Sequence, residues 1–199
     1  MDRGPNSRSC ILSLLLWNLA DPGSVVLNRG NHETVEMNAY YGFKKELNDD
    51  ELFYKFNYLF NKFPLAHVIG DKIFCVHGGL PKKPVLLNQL DRYYDELLWN
   101  DPCETPGVST NPRGPGTFKF GPDVTENFLK MNKLDLLVRS HEMVLDGFEY
   151  SQNGKCVTVF SASNYYASRH ISNKGGYLHV MPDMSVIGHS FLAHQQSKL

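Results

Sequence analysis

The sequence predicts an α/β fold, and three observations carry that reading. Short apolar runs at 25–27, 72–76 and 134–138 each stop abruptly at a polar cluster, as buried strands do when they reach a functional edge. Helical patterns separate the runs, in the alternation that builds α/β sheets. Towards the C-terminus the pattern changes to two hairpins, one around Asn153-Gly154 and one around Pro182-Asp183.

Residues 1–5 read as a loop and 8–19 as a helix, with Ser7 or Ser9 as its N-cap and Ala20-Asp21-Pro22-Gly23 as its breaker. The basic start and apolar stretch superficially resemble a signal peptide. Asp2, Pro5 and Asn18 break that pattern, and the run is too short to span a bilayer, which takes about 20 residues. A strand at 24–27 follows, and Gly30 lets the backbone turn sharply where it ends. Residues 36–47 have helical composition. Asp49 or Asp50 caps a further helix through Leu52, Phe56, Leu59 and Phe60, which Pro64 ends; its aromatics are assigned to the core. The strand at 72–76 comes next, and later a helix at 123–131 capped by Asp123 leads into the strand at 134–138. Residues 102–116 form a long Pro/Gly/Thr-rich loop. The hairpin strands are 147–150 with 155–160, and 176–181 with 185–191; residues 194–199 read as frayed.

At 199 residues the chain is long enough to bury a core, and a single domain is expected. With 20 Lys plus Arg against 21 Asp plus Glu, its net charge of −1 argues against nucleic acid and against an anionic membrane as partners. Cys10, Cys75, Cys103 and Cys156 form no C-x-x-C pair and read as reduced core residues. No Asn-x-Ser/Thr acceptor is present, in keeping with a cytoplasmic or nuclear home.

The ends of the three apolar runs carry the chemistry. Asn31, His77 and His141 offer one amide oxygen and two imidazole nitrogens, a set suited to a borderline transition metal rather than to calcium. One strand-end histidine alone is more often structural; three such positions on neighbouring strands would converge on one crevice. Arg3 and Arg113 lie in loops, where a guanidinium fork can grip phosphate oxygens in pairs. His67, His170, His179 and His189 match no motif and read as structural or solvated.

Five segments in order, Arg29-Gly30-Asn31-His32-Glu33, His77-Gly78-Gly79-Leu80, Leu97-Leu98-Trp99-Asn100-Asp101-Pro102, Arg139-Ser140-His141-Glu142 and Phe160-Ser161-Ala162-Ser163-Asn164-Tyr165, resemble the catalytic domain of the phosphoprotein phosphatases. Asn28 ahead of Arg29, the Met37-Asn38-Ala39-Tyr40-Tyr41-Gly42-Phe43 run and the Ser161-Ala162-Ser163-Asn164-Tyr165-Tyr166 run are most like the family's EF-hand-bearing branch, although no calcium loop is encoded here. Tyr166 stands where many relatives have cysteine, which puts thiol-dependent inhibitor trapping in doubt but not hydrolysis. The resemblance implies a metallophosphoesterase-like β-sandwich flanked by helices and the hydrolysis of phosphoserine and phosphothreonine. It implies that Asn31, His77 and His141 are metal ligands, that His32 is the general acid and that Asp2 orients it. It also implies that Arg3, Asn31, Arg113 and Tyr165 hold the phosphate or the attacking water.

The family uses two divalent ions, manganese, iron or zinc, and has two earlier metal motifs; Asp2-Arg3-Gly4 matches only the tail of the second. The expectation is therefore a chain lacking its first strands, with ligands for one ion and impaired turnover, or alternatively a non-catalytic binding or regulatory module. The metallophosphoesterases that act on nucleotides or nucleic acids share the Gly-Asn-His-Glu element but typically finish with Gly-His-x-His, where this chain has Arg139-Ser140-His141-Glu142. Phosphoprotein substrates, with regulatory proteins, are the expected partners.

Overall fold

A computed structural model describes residues 1–166 and 171–192. His170 and the stretch at 194–199 lie outside the described residues. The chain forms two compact units, Met1–Ala66 and His67–Leu199.

The first unit is helical: α1 (Ser7–Ala20), α2 (Val35–Tyr41), α3 (Phe43–Leu47) and α4 (Asp50–Phe60). Phe53, Phe56 and Phe60 recur at helical spacing and bury one face of α4 against Ile11, Phe43 and Leu47. Phe43 meets Phe56 edge-on, with ring centroids 5.4 Å apart. Asp49 caps α4, its carboxylate accepting the Leu52 N–H at 2.9 Å. The helix expected at 36–47 is instead two, because Gly42 at φ +124° breaks it between Tyr41 and Phe43. A buried amide pair joins the two sides of this unit: Asn38 Nδ2 donates to Asn57 Oδ1 at 2.8 Å, and Asn57 Nδ2 returns a bond at 3.3 Å.

Two expectations fail in this unit. Serine does not cap α1: Asn6 is the N-cap without a side-chain bond, and the Glu46 carboxylate accepts the N–H groups of Ser7 at 3.1 Å and Arg8 at 2.8 Å. An acceptor distant in sequence satisfies the orphan donors, so no local signal marks it. Residues 24–27 do not form a strand, since no neighbouring strand pairs with them among the described residues. Val25 O takes a bond from Asn18 Nδ2 instead, and Val26 is 59% exposed.

The second unit is built on a five-stranded sheet of order β1-β2-β6-β8-β7. Its strands are β1 (Ala66–Ile69), β2 (Ile73–Val76), β6 (Leu136–Arg139), β7 (Phe148–Ser151) and β8 (Cys156–Val159). β2, β6 and β8 run parallel, with Cys75 opposite Val138 and Leu137 opposite Cys156. Their carboxyl ends therefore open on one edge. α6 (Pro122–Asn132) packs on this sheet through Phe128, whose ring lies 5.0 Å from that of Phe74. Gly121 is its N-cap and Pro122 its first residue; Asp123, expected as the cap, accepts from Gly107 N at 2.7 Å instead.

The supposed loop at 102–116 holds structure. β3 (Asp101–Pro102), β4 (Val108–Thr110) and β5 (Phe118–Phe120) form a second sheet, in which β3 runs parallel and β4 antiparallel to β5. It follows a 3-10 turn (Leu87–Tyr93) and α5 (Tyr94–Trp99), neither anticipated from the sequence. Both hairpins are present, with longer turns than two residues. β7 joins β8 through residues 152–155, with Gln152, Asn153 and Gly154 all at positive φ. β9 (Gly175–Val180) pairs with β10 (Val186–Phe191) across residues 181–185.

Gln152 ties these parts together. Its buried amide accepts from Thr125 Oγ1 of α6 at 2.6 Å and donates to the carbonyls of Cys103 at 3.0 Å and Phe120 at 2.8 Å. Gln152→Ala removes three hydrogen bonds, among them the one from the buried Thr125 hydroxyl, and is expected to lower stability by about 2 kcal/mol, read as a shift in urea midpoint. No helix among the described residues is long and apolar enough to cross a membrane.

Candidate functional site

In the second unit, His77 directly follows β2, and His141 lies two residues beyond the end of β6. Because β2 and β6 are parallel neighbours, the structure brings the two imidazoles together, with His77 Nε2 3.1 Å from His141 Nδ1. A bond from Ser140 N to His77 O at 3.0 Å locks the two loops. His141 sits at φ +64°, the left-handed region that residues with a Cβ rarely adopt, as strained functional positions often do. The Trp99 ring stands edge-on to it at 5.6 Å.

This pair fits a bound ion. Two imidazole nitrogens each about 2.0–2.1 Å from one ion stand about 3.0–3.4 Å apart, as these do. Among the described residues no group of three or more His, Cys, Asp or Glu is placed to hold a metal.

The residues next to the pair join a charge cluster in which the sequence reading assigned a role to Arg113 alone. Arg139 is fully buried, and its Nε donates to Gly78 O at 2.6 Å, its Nη2 to Asp101 Oδ1 at 2.6 Å and its Nη1 to Glu142 Oε2 at 3.0 Å. One guanidinium thus joins the residue after His77, the residue after His141 and the start of β3. Asp101 in turn holds Arg113: Nε of Arg113 lies 2.5 Å from Asp101 Oδ2, and Asn111 Nδ2 reaches the same oxygen at 2.9 Å. Burial alone would push the Asp101 carboxyl up, but hydrogen bonds from Arg113 and Asn111 and the charge of Arg139 hold it below the ordinary range. Burial raises Glu142 despite the nearby arginines. The signal that marks this cluster in the sequence is a charged residue, Arg139, closing an apolar strand. The Arg113 side chain keeps 30% of its surface exposed, while its Nη2 also faces the acidic groups, 3.4 Å from Asp101 Oδ1 and 3.9 Å from Glu142 Oε1.

Tyr165 follows β8 at the same edge of the sheet. Its N–H donates to Asn173 Oδ1 at 2.8 Å, while Asn173 Nδ2 donates to Ala162 O at 2.8 Å, so one buried amide shapes the loop. The Phe160 ring packs edge-on against it at 4.9 Å.

The first unit carries the other named residues. Asn31 is buried just after Gly30, whose N–H donates to Glu33 Oε2 at 2.8 Å. His32 Nδ1 lies 2.6 Å from Asp2 Oδ2, with the Asp2 side chain fully buried and the imidazole 17% exposed. The same carboxylate accepts the Phe43 N–H at 3.0 Å through Oδ1. A carboxylate partner favours the tautomer with Nδ1–H pointing to Asp2. Arg3 is exposed, its Cζ 4.0 Å over the Tyr41 ring.

Residues 1–145 match the calcineurin-like phosphoesterase family. The serine/threonine-protein phosphatase T of Trypanosoma brucei brucei is 42% identical over 193 residues, 89% of this chain and 40% of that one. The serine/threonine-protein phosphatase 5 of Arabidopsis thaliana is 42% identical, covering 100% of this chain and 40% of its own length. The chain thus spans about two fifths of these relatives. A solved serine/threonine phosphatase of Saccharomyces cerevisiae, described as similar to human phosphatase PP5, superposes with a TM-score of 0.92 at 36% identity, over 100% of this chain and 70% of that one. By this fold and these similarities, the chain belongs to the calcineurin-like phosphoesterase family and, within it, to the serine/threonine-protein phosphatases.

Proposed function

We propose that the chain carries out metal-dependent hydrolysis of phosphoserine and phosphothreonine in protein substrates. The observation that carries this reading is the His77–His141 pair, two nitrogens 3.1 Å apart at the ends of parallel strands. When bound, a divalent ion of the manganese, iron or zinc type supplies water activation and neutralises phosphoryl charge. His77 and His141 of the second unit would hold it. His32, held through Nδ1 by Asp2, passes a proton from Nε2 to the leaving serine or threonine oxygen. Arg3 presents its guanidinium to the phosphoryl oxygens, Arg113 offers the Nη1 side that its pairing with Asp101 does not use, and Tyr165 presents its hydroxyl. These ligands suit one ion per chain. The four free thiols support a reducing, cytoplasmic setting.

The test is metal analysis of the purified chain beside turnover of a phosphoserine peptide. One ion per chain is expected, lost in His77→Ala and His141→Ala, with slow turnover that falls a further 10²-fold or more in His32→Ala, as an order-of-magnitude expectation for a general acid. Two tightly held ions with fast turnover overturn the one-ion part of the reading. An ion bound without any turnover overturns hydrolysis and leaves a binding module.

A further inference from the structure

We propose that Tyr41 is a positioning residue, its ring the common platform that aims the Arg3 guanidinium and the His32 imidazole. This rests on the proposed function, in which those two groups meet the phosphate and the leaving oxygen. The Arg3 Cζ lies 4.0 Å over the Tyr41 ring centroid, and the His32 ring is 4.9 Å away, tilted by 45°. Tyr40 braces the platform edge-on at 4.8 Å. One aromatic ring thus touches both groups and belongs to neither motif.

The backbone explains why a platform is needed. Asp2 and Arg3 are at φ +74° and +60°, consecutive non-glycine residues in the left-handed region. Asp2 is anchored there by its N–H to Ser7 Oγ at 2.9 Å and by its carboxylate to Phe43 N and His32. Arg3 follows with an exposed side chain on which many rotamers compete. A π face attracts a guanidinium laid over it and limits its rotation while leaving the charge intact. Tyr41 can do this because it ends α2 immediately before Gly42, whose φ of +124° turns the chain into α3 and leaves the ring facing back over Arg3.

The alternative is that Tyr41 only fills space. NMR of the full chain separates the two. Stacking over the ring shifts the Arg3 Nε–H and Hδ resonances upfield in the wild type. Tyr41→Phe keeps that shift, and Tyr41→Leu, of similar bulk but without a π face, loses it. Calorimetric titration with inorganic phosphate is expected to show roughly three- to tenfold weaker binding for Tyr41→Leu, with affinity restored to within twofold in Tyr41→Phe. In an Arg3→Ala background, Tyr41→Leu adds nothing further. Equal Arg3 shifts and equal phosphate affinity in the Phe and Leu variants overturn the proposal. A wild type that binds no phosphate defeats the functional reading instead, and the Arg3 resonances still decide the role of Tyr41. Should Tyr41→Leu fail to fold, the wild-type resonances are decisive: random-coil positions overturn the proposal.

Discussion

Replacing Arg139 with methionine is expected to destabilise the second unit by about 3–5 kcal/mol, the usual result of breaking a buried ion pair from one side. The guanidinium is fully buried and spends its donors on Gly78 O, Asp101 and Glu142. Its loss leaves Asp101, itself 2% exposed, as a buried carboxylate with only Arg113 and Asn111 to compensate. The double variant Arg139→Met/Asp101→Asn is expected to recover part of the loss, since removing both charges also removes the desolvation penalty. Urea midpoints of the two single variants and the double variant form the cycle, and additive losses would show that the pair is not coupled. The acid limb gives an independent reading. A carboxyl held below its unfolded value contributes stability that is present above about pH 4 and is lost as pH falls through the folded value. Asp101→Asn should flatten that limb.

The second large effect belongs to Gly78. A Cβ there would sit 2.5 Å from the Leu98 carbonyl carbon and 2.7 Å from both Leu98 O and Trp99 N, all backbone atoms of α5 that no rotamer change can move. Gly78→Ala is expected to cost about 3 kcal/mol, at the upper end for overpacking. It should also displace His77, because the neighbouring Gly78 N–H is bonded to Leu97 O at 2.8 Å and its carbonyl to Arg139. Metal content is therefore expected to fall even in the fraction that remains folded. Full ion occupancy in a folded Gly78→Ala protein would show that the close approach does not position the histidine.

What the sequence discloses and what it hides follow from where each interaction originates. β2 and β6 are legible because a buried parallel strand is written as a continuous apolar run, and their parallel pairing brings together His77 and His141 from opposite sides of a 64-residue gap. Residues 24–27 look the same on paper, yet a strand is made by its neighbour, and none pairs with them among the described residues. The sheet of β3, β4 and β5 hides for the converse reason: Val108, Ser109 and Thr110 are all exposed, so no apolar pattern marks them within a Pro/Gly-rich stretch. Asp49 is readable as a cap because its bond is local, whereas Glu46 caps α1 from 38 residues away and leaves no trace. In the site, the chemical donors stand out by type, but Asp101, Asn173 and Tyr41 act through other residues and look like ordinary polar or aromatic positions.

The Arg139 cluster also governs how the second unit moves. One side chain bonds the loop after β2, the loop after β6 and the start of β3, so none of these segments can swing out alone without forfeiting a contact to the same buried cation. Local opening then becomes a collective event with a single free energy. In hydrogen exchange, the amides of Gly78 and Ser140, bonded to Leu97 O and His77 O, would share one protection factor and collapse together in Arg139→Met. Such a centre is either assembled or absent, with little intermediate looseness between.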